Sequence, residues 1–225
     1  PGTGIVSTIV PTMAGRPMVA YRLVVLALIV TGFVSFGLWV HHMFTTGLPE
    51  LAASFFTASS FIIALATGTQ IFAWLATLWG QRPKLNLPML YVVGFFVVFM
   101  LGGVTGVMVA AVPVDAQVHD SYFVVAHFHY VIVGGAVLPI LGAIHYWFPK
   151  ITGRMLGTRL GHLAFWLVFI GFNVSFFPMH LSGLRGMPRR VYTYQEGMGL
   201  DGYNLVSSPG WKVKAHCGSH CATDR

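Results

Sequence analysis

Apolar residues in this chain are neither scattered nor spaced to make one helix face. They gather into long unbroken runs. Five of these, Leu23–Val40, Leu51–Trp79, Leu85–Val112, Ser121–Phe148 and Leu160–Leu184, contain no Asp, Glu, Lys or Arg. Each reaches the roughly 18–20 residues a helix needs to cross a bilayer. The pattern predicts an all-α fold, a polytopic transmembrane helical bundle with about five complete spans. Residues 1–11 read as the end of an earlier membrane helix, and Thr12 to Arg22 as a loop. What interrupts the runs is sparse and polar. His41-His42 follow the first, and Thr57, Ser60, Thr67 and Gln70 form a stripe along the second. The third holds Gly102-Gly103-x-x-Gly106. The fourth carries His127, His129 and Pro139, with His119-Asp120 eight residues before His127, and the fifth carries Asn173, Pro178 and His180.

Composition agrees with the pattern. The chain is 56% hydrophobic and 8% charged, with a mean hydropathy of +0.73. A soluble domain carries about 25% charged residues. The net charge of +7 does not indicate a nucleic-acid partner, because the cations are dispersed over loops rather than gathered into one patch. Their distribution sets the orientation. Arg16, Arg22, Arg82, Lys84, Lys150, Arg154 and Arg159 occupy one set of loops, and Glu50, Asp115, Asp120, Glu196 and Asp201 the alternate set. The positive-inside rule assigns the first set to the cytoplasmic or matrix side. Arg185, Arg189 and Arg190 break the rule, and an anionic ligand would hold them on the far side.

Buried ionisable groups at membrane depth imply function. Adjacent histidines on a helix project about 100° apart, so His41 and His42 can face one cavity. His127 and His129 project about 200° apart and cannot serve the same small site. Neutral imidazole is a common ligand of copper, iron and zinc. The alternatives are that the pairs cap helices, or titrate as a proton relay in a transporter. The stripe on the second run either lines a water path or joins helices by hydrogen bonds, and helix joining is the more frequent use of such residues. Gly102, Gly103 and Gly106 are assigned to packing. Asn173 and His180 are assigned to interhelical hydrogen bonds, and His145 and His162 to the interface. Cys217 and Cys221 sit in a short His-Cys-x-x-His-Cys stretch without flanks to fold it. Residues 209–225 therefore read as a tail, disordered or artefactual. The opening Pro1-Gly2-Thr3-Gly4, without Met, reads as cut from something longer.

Several of these positions form specific motifs: Val40-His41-His42-Met43-Phe44-Thr45, Gly68 through Thr77, His119-Asp120-Ser121-Tyr122, Ala126-His127-Phe128-His129-Tyr130 and Gly186-Met187-Pro188-Arg189-Arg190. In content, order and spacing they resemble subunit I of the haem-copper terminal oxidases, in the cytochrome c oxidase branch. The resemblance covers residues 1–208, roughly the last half of a twelve-helix subunit. It implies oxygen reduction to water with electrons from cytochrome c, coupled to proton translocation. It implies haem A in low-spin and high-spin forms, copper B and magnesium. His41 and His42 would be copper B ligands, His127 the high-spin haem ligand and His129 one low-spin haem ligand. His119 and Asp120 would lie in the magnesium region, and Arg189 and Arg190 would hold haem propionates. Thr67 and Gln70 would lie on a proton path, with Gln70 where the family usually has lysine. The implied partners are oxidase subunits II and III, cytochrome c through subunit II, the missing N-terminal half and the lipid membrane. The implied location is the prokaryotic plasma membrane, or alternatively the mitochondrial inner membrane. A quinol-oxidising member, a dihaem carrier and a histidine-based proton transporter are the other readings. The segment alone is expected to be inactive, because the remaining ligands lie in the missing half.

Overall fold

A computed structural model describes residues 1–195 and 197–208. Glu196 and the tail from Pro209, with Cys217 and Cys221, lie outside the described residues. The described chain is helical, with no strand: α1 Gly2–Ala14, α2 Tyr21–Leu38, α3 Glu50–Leu78, α4 Leu87–Ala110, α5 Val112–Val118, α6 Tyr122–Ile132, α7 Leu138–Thr152, α8 Thr158–Leu184 and α9 Asp201–Ser207. A 3-10 turn, Trp39–Thr46, continues α2, and a π turn, Val133–Val137, joins α6 to α7. Five helical segments are long and apolar enough to cross a membrane: Tyr21–Thr46, Glu50–Leu78, Leu87–Ala110, Tyr122–Thr152 and Thr158–Leu184. They coincide with the five apolar runs. α1 is shorter than a span and runs on to Ala14, so residues 12–14, expected in the loop, are helical.

Local chemistry sets several boundaries. Asn86 caps α4, its side-chain oxygen accepting from Met89 N, and Pro88 occupies the first turn, where its missing donor costs nothing. Ser121 caps α6 by accepting from Phe123 N. The π turn lies directly before Pro139, and Leu138 N donates to Val133 O, five residues back. A widened turn accommodates a proline ring that would otherwise press on the preceding carbonyl.

The core lies where α1, α3, α4, the α6–α7 span and α8 meet. Trp74, Tyr91, Phe95 and Tyr130 are essentially inaccessible there. α4 is the central helix, packing against α1, α3, α6, α7 and α8. α2 is peripheral: it packs mainly on α3 and leaves Phe33 and Phe36 exposed. Close approach at the centre depends on small residues. A side chain at Gly102 would meet the backbone of Tyr130 and Val131, and one at Gly183 would run into the backbone of Phe123. α6 is thereby held against α8 at its first turn and against α4 just beyond its two histidines.

Candidate metal and haem centre

His41 and His42 lie on the 3-10 turn rather than on α2 itself. Their rings meet edge to face, 4.2 Å apart, and the two Nε2 atoms are 3.0 Å apart. Two imidazole nitrogens each about 2.0–2.1 Å from one ion sit about 3 Å apart. The spacing fits one shared ion. Ser60 settles which His41 nitrogen is free. Its hydroxyl donates to Phe56 O at 2.6 Å, so its oxygen accepts from His41 Nδ1–H at 2.8 Å. His41 Nε2 is then a bare lone pair. Ser60 is thus the orienting partner of His41, a role that its place in the polar stripe did not single out.

Ser60→Ala should therefore lower the affinity of the full-length protein for a metal ion at this pair by about 10–100-fold, the usual cost of losing an orienting partner. Metal content after dialysis against graded chelator measures it, and unchanged retention would remove Ser60 from this role.

His127 and His129 leave α6 on opposite sides. His127 faces α4, where its Nδ1 donates to Gly102 O at 3.1 Å and lies 3.1 Å from Thr105 Oγ1. His129 faces α8 and stacks on Phe176 with centroids 4.1 Å apart, its Nδ1 donating to Val125 O at 2.8 Å. Carbonyl oxygens only accept, so both rings carry the proton on Nδ1 and present a bare Nε2. A bond to the preceding turn does not by itself mark a ligand, since His145 makes one to Leu141 O. The His127 bond is different, because it reaches across to another helix. Gly106 lies against the His127 ring, where a Cβ would come within 3.0 Å of Cε1. The glycines of α4 were expected only to pack; they also shape the His127 pocket and supply its acceptor.

At the same end, the side chains of His119 and Asp120 bond to different partners. His119 Nδ1 binds Asp115 Oδ2 at 3.0 Å, one helical turn back on α5. Asp115 is buried, and burial raises its carboxyl pKa, partly offset by the bond to His119. The i, i+4 spacing of Asp115 and His119 in the sequence is consistent with this bond. Asp120 turns the other way: its backbone is left-handed, with φ of 52°, and its carboxylate lies 3.7 Å from Arg189 Nε. Arg189 N also donates to Asp120 O at 2.8 Å, and Tyr122 N to Met187 O at 3.0 Å. The loop after α8 is thus stitched to the start of α6. Arg189 is half-buried, while Arg190 is exposed and pairs with no acid among the described residues.

Along α3, Thr67 is half-buried and Gln70 is buried. Gln70 Nε2 reaches Ala66 O at 3.5 Å, and neither Gln70 Oε1 nor Thr57 Oγ1 has a partner. The stripe does not tie α3 to its neighbours at these positions; it leaves acceptors open. Asn173 does join helices, accepting from Tyr130 OH at 2.8 Å. His180 does not: its Nδ1 bonds Phe177 O on its own helix, its Nε2 has no partner, and its ring rests against Phe123 and Tyr130. Among the described residues no three of His, Cys, Asp and Glu converge on one point.

A family model described as cytochrome c and quinol oxidase polypeptide I matches residues 1–212. The chain belongs to that family. The cytochrome c oxidase subunit 1 of Bacillus subtilis is 50% identical over 210 residues, covering 93% of this chain and 34% of that protein. The subunit 1 of Synechocystis is 47% identical over 215 residues, 96% of this chain and 39% of that protein. The chain therefore spans about a third to two-fifths of these oxidase polypeptides. In three dimensions it matches a haem-copper terminal oxidase dimer solved by cryo-EM, with a TM-score of 0.81 over 92% of this chain and 42% of that one. At 22% identity that likeness speaks for the fold. As a family member it is an integral membrane protein whose relatives are oxidoreductases of respiratory electron transport.

Proposed function

We propose that this chain is part of the catalytic subunit of a terminal respiratory oxidase, reducing oxygen to water with electrons from cytochrome c and translocating protons. The observation that carries this reading is the division of α6. One imidazole faces α4 and another faces α8, each with a bare Nε2 and a fixed Nδ1 proton. The donor chemistry fits two haem irons on opposite flanks, with His127 holding the high-spin haem A and His129 the low-spin one. His41 and His42 fit copper B, their Nε2 atoms aimed together. The haems and copper supply the electron transfer and the oxygen chemistry.

The protein's part is orientation and charge. Gly102 O and Ser60 fix the tautomers of His127 and His41. Arg189, held by Asp120, and Arg190 present guanidinium groups that suit haem propionates. Such carboxylates would explain why cations stand at the end the positive-inside rule leaves acidic. His119 and Asp120 suit a magnesium region, with Asp120 offering oxygen and further ligands coming from outside these residues. Thr67 and Gln70 suit a proton path: the open amide oxygen of Gln70, with the open Thr57 hydroxyl on the same helix, can order water. Subunits II and III, cytochrome c at subunit II and the prokaryotic plasma membrane complete the reading. The matched relatives, named cytochrome c oxidases, favour cytochrome c over quinol.

Visible spectra of the full-length protein test the proposal. A low-spin haem together with a carbon-monoxide-binding haem, plus copper by elemental analysis, is the expected result. Two low-spin haems without carbon monoxide binding would indicate an electron carrier, and no haem bands would indicate a transporter. Turnover with quinol but not cytochrome c would move the protein to the other branch. Gln70→Leu should slow reduction of the oxygen-binding centre by about tenfold, since it removes the only amide on that stripe. An unchanged stopped-flow rate would exclude Gln70 from the path.

A further inference from the structure

The two imidazoles of α6 are held by different means. His127 is fixed from another helix, through Gly102 O at 3.1 Å. The acceptor on His129 Nδ1 belongs to its own helix, Val125 O at 2.8 Å. Such a bond sets the height of Nδ1 but resists rotation of the ring only weakly, because carbonyl acceptors tolerate a broad range of directions. His145 makes the same kind of bond to Leu141 O, and the ring beside it, Tyr91, lies 5.4 Å away. Around His129 the rings come closer. Phe176 on α8 stacks on it with centroids 4.1 Å and planes 23° apart, and Phe128 lies 4.3 Å away at 33°.

The two phenyl rings hold the imidazole from opposite flanks. At 100° per residue, Phe128 and Tyr130 leave α6 on either side of His129. Tyr130 is on the side that meets α8, through Phe172 and Asn173. Phe128 therefore lies on the flank away from Phe176. Phe176 is itself fixed. It stacks on the buried Phe172 one turn earlier, with centroids 5.0 Å and planes 29° apart, and Phe172 rests on Tyr130 at 4.9 Å. Asn173 Nδ2 donates to Phe169 O at 2.8 Å, which leaves its Oδ1 to accept from Tyr130 OH at 2.8 Å. Residues 128–130 of α6 thus interlock with Phe172, Asn173 and Phe176 of α8 in one closed clamp around the imidazole.

We propose that Phe176 is a positioning residue for the low-spin haem: with Phe128 it holds the His129 imidazole in one plane, and so fixes the rotation at which His129 presents its bare Nε2 to the iron. The proposal rests on the assignment of His129 to that haem and adds the residue that sets the ligand plane. The plane of an axial imidazole decides how the iron d orbitals split, so neighbours that hold the ring tune the metal as well as the ligand. His127, held by hydrogen bonds to α4, does not depend on this clamp.

The test is electron paramagnetic resonance of the oxidised full-length protein, with haem content measured on the same samples. Wild type should show one sharp low-spin signal. Phe176→Leu keeps apolar volume but removes the flat face. It should shift and broaden the lowest-field low-spin resonance, while the carbon-monoxide-binding haem keeps its wild-type spectrum. Phe176→Tyr, which restores a ring, should return the wild-type signal. A Phe176→Leu signal that superimposes on wild type overturns the proposal. So does a Phe176→Tyr signal shifted as far as that of Phe176→Leu, since bulk rather than the ring face would then matter. If Phe176→Leu takes up no low-spin haem, Phe176→Tyr decides: the wild-type signal supports the clamp, and a displaced or absent one overturns it. A wild type without any low-spin signal removes the assignment of His129 itself, and the proposal with it.

Discussion

His127→Ala in the full-length protein is expected to abolish the carbon-monoxide-binding haem and bring oxygen reduction below detection, while the low-spin haem band persists. His129→Ala should give the reciprocal loss. The reason is geometric. The two rings lie two residues apart on α6 but face different helices, His127 towards Gly102 and Thr105, His129 towards Phe176. Removing one ring leaves the other's Nδ1 bond and walls intact. Reduced-minus-oxidised and carbon monoxide difference spectra read the two haems separately. If each variant loses the same band, both imidazoles serve one site and the proposed partition is wrong. The Thr105→Val variant should be far milder, because Gly102 O still holds the His127 proton.

The second large effect concerns packing. Gly183→Ala should destabilise the protein by about 1–3 kcal/mol or more, the usual cost of overpacking, and should deplete the low-spin haem. A single Cβ at this position collides with the backbone of Phe123, which cannot rotate away as a side chain could. α8 would have to withdraw from α6, taking Phe176 from the His129 ring. Gly171→Ala on the same helix is the control, since nothing lies within 4 Å of its Cβ position. Thermal unfolding followed by circular dichroism compares the two. Equal stability would mean that α6 and α8 separate at little cost.

The two predictions draw on different parts of what can be read without coordinates. The five spans were legible because each needs only a long run without charge, a property local to the chain. The opposite facing of His127 and His129 was legible for the same reason, since 100° per residue holds in any α-helix. The pairing of His119 with Asp115 is legible from i, i+4 spacing, whereas adjacency alone points to Asp120, which His119 does not bond. The left-handed backbone at Asp120 is what sends its carboxylate to Arg189.

The partners that fix the histidines were not legible. Ser60 lies 19 residues from His41, Gly102 lies 25 from His127, and Asn173 lies 43 from Tyr130. Periodicity put Ser60 and Gly102 on plausible faces but could not say which helix each face meets. That depends on glycines such as Gly102 and Gly183, whose use is decided only by what comes close to them. By itself, then, the sequence determined the spans and the motifs that mark the family. The tertiary structure alone decided which nitrogen of each histidine is bare, which arginine an aspartate holds, and where α4 and α8 clasp α6. Hydrophobic runs are properties of a single segment; hydrogen bonds between helices exist only once two segments share a place.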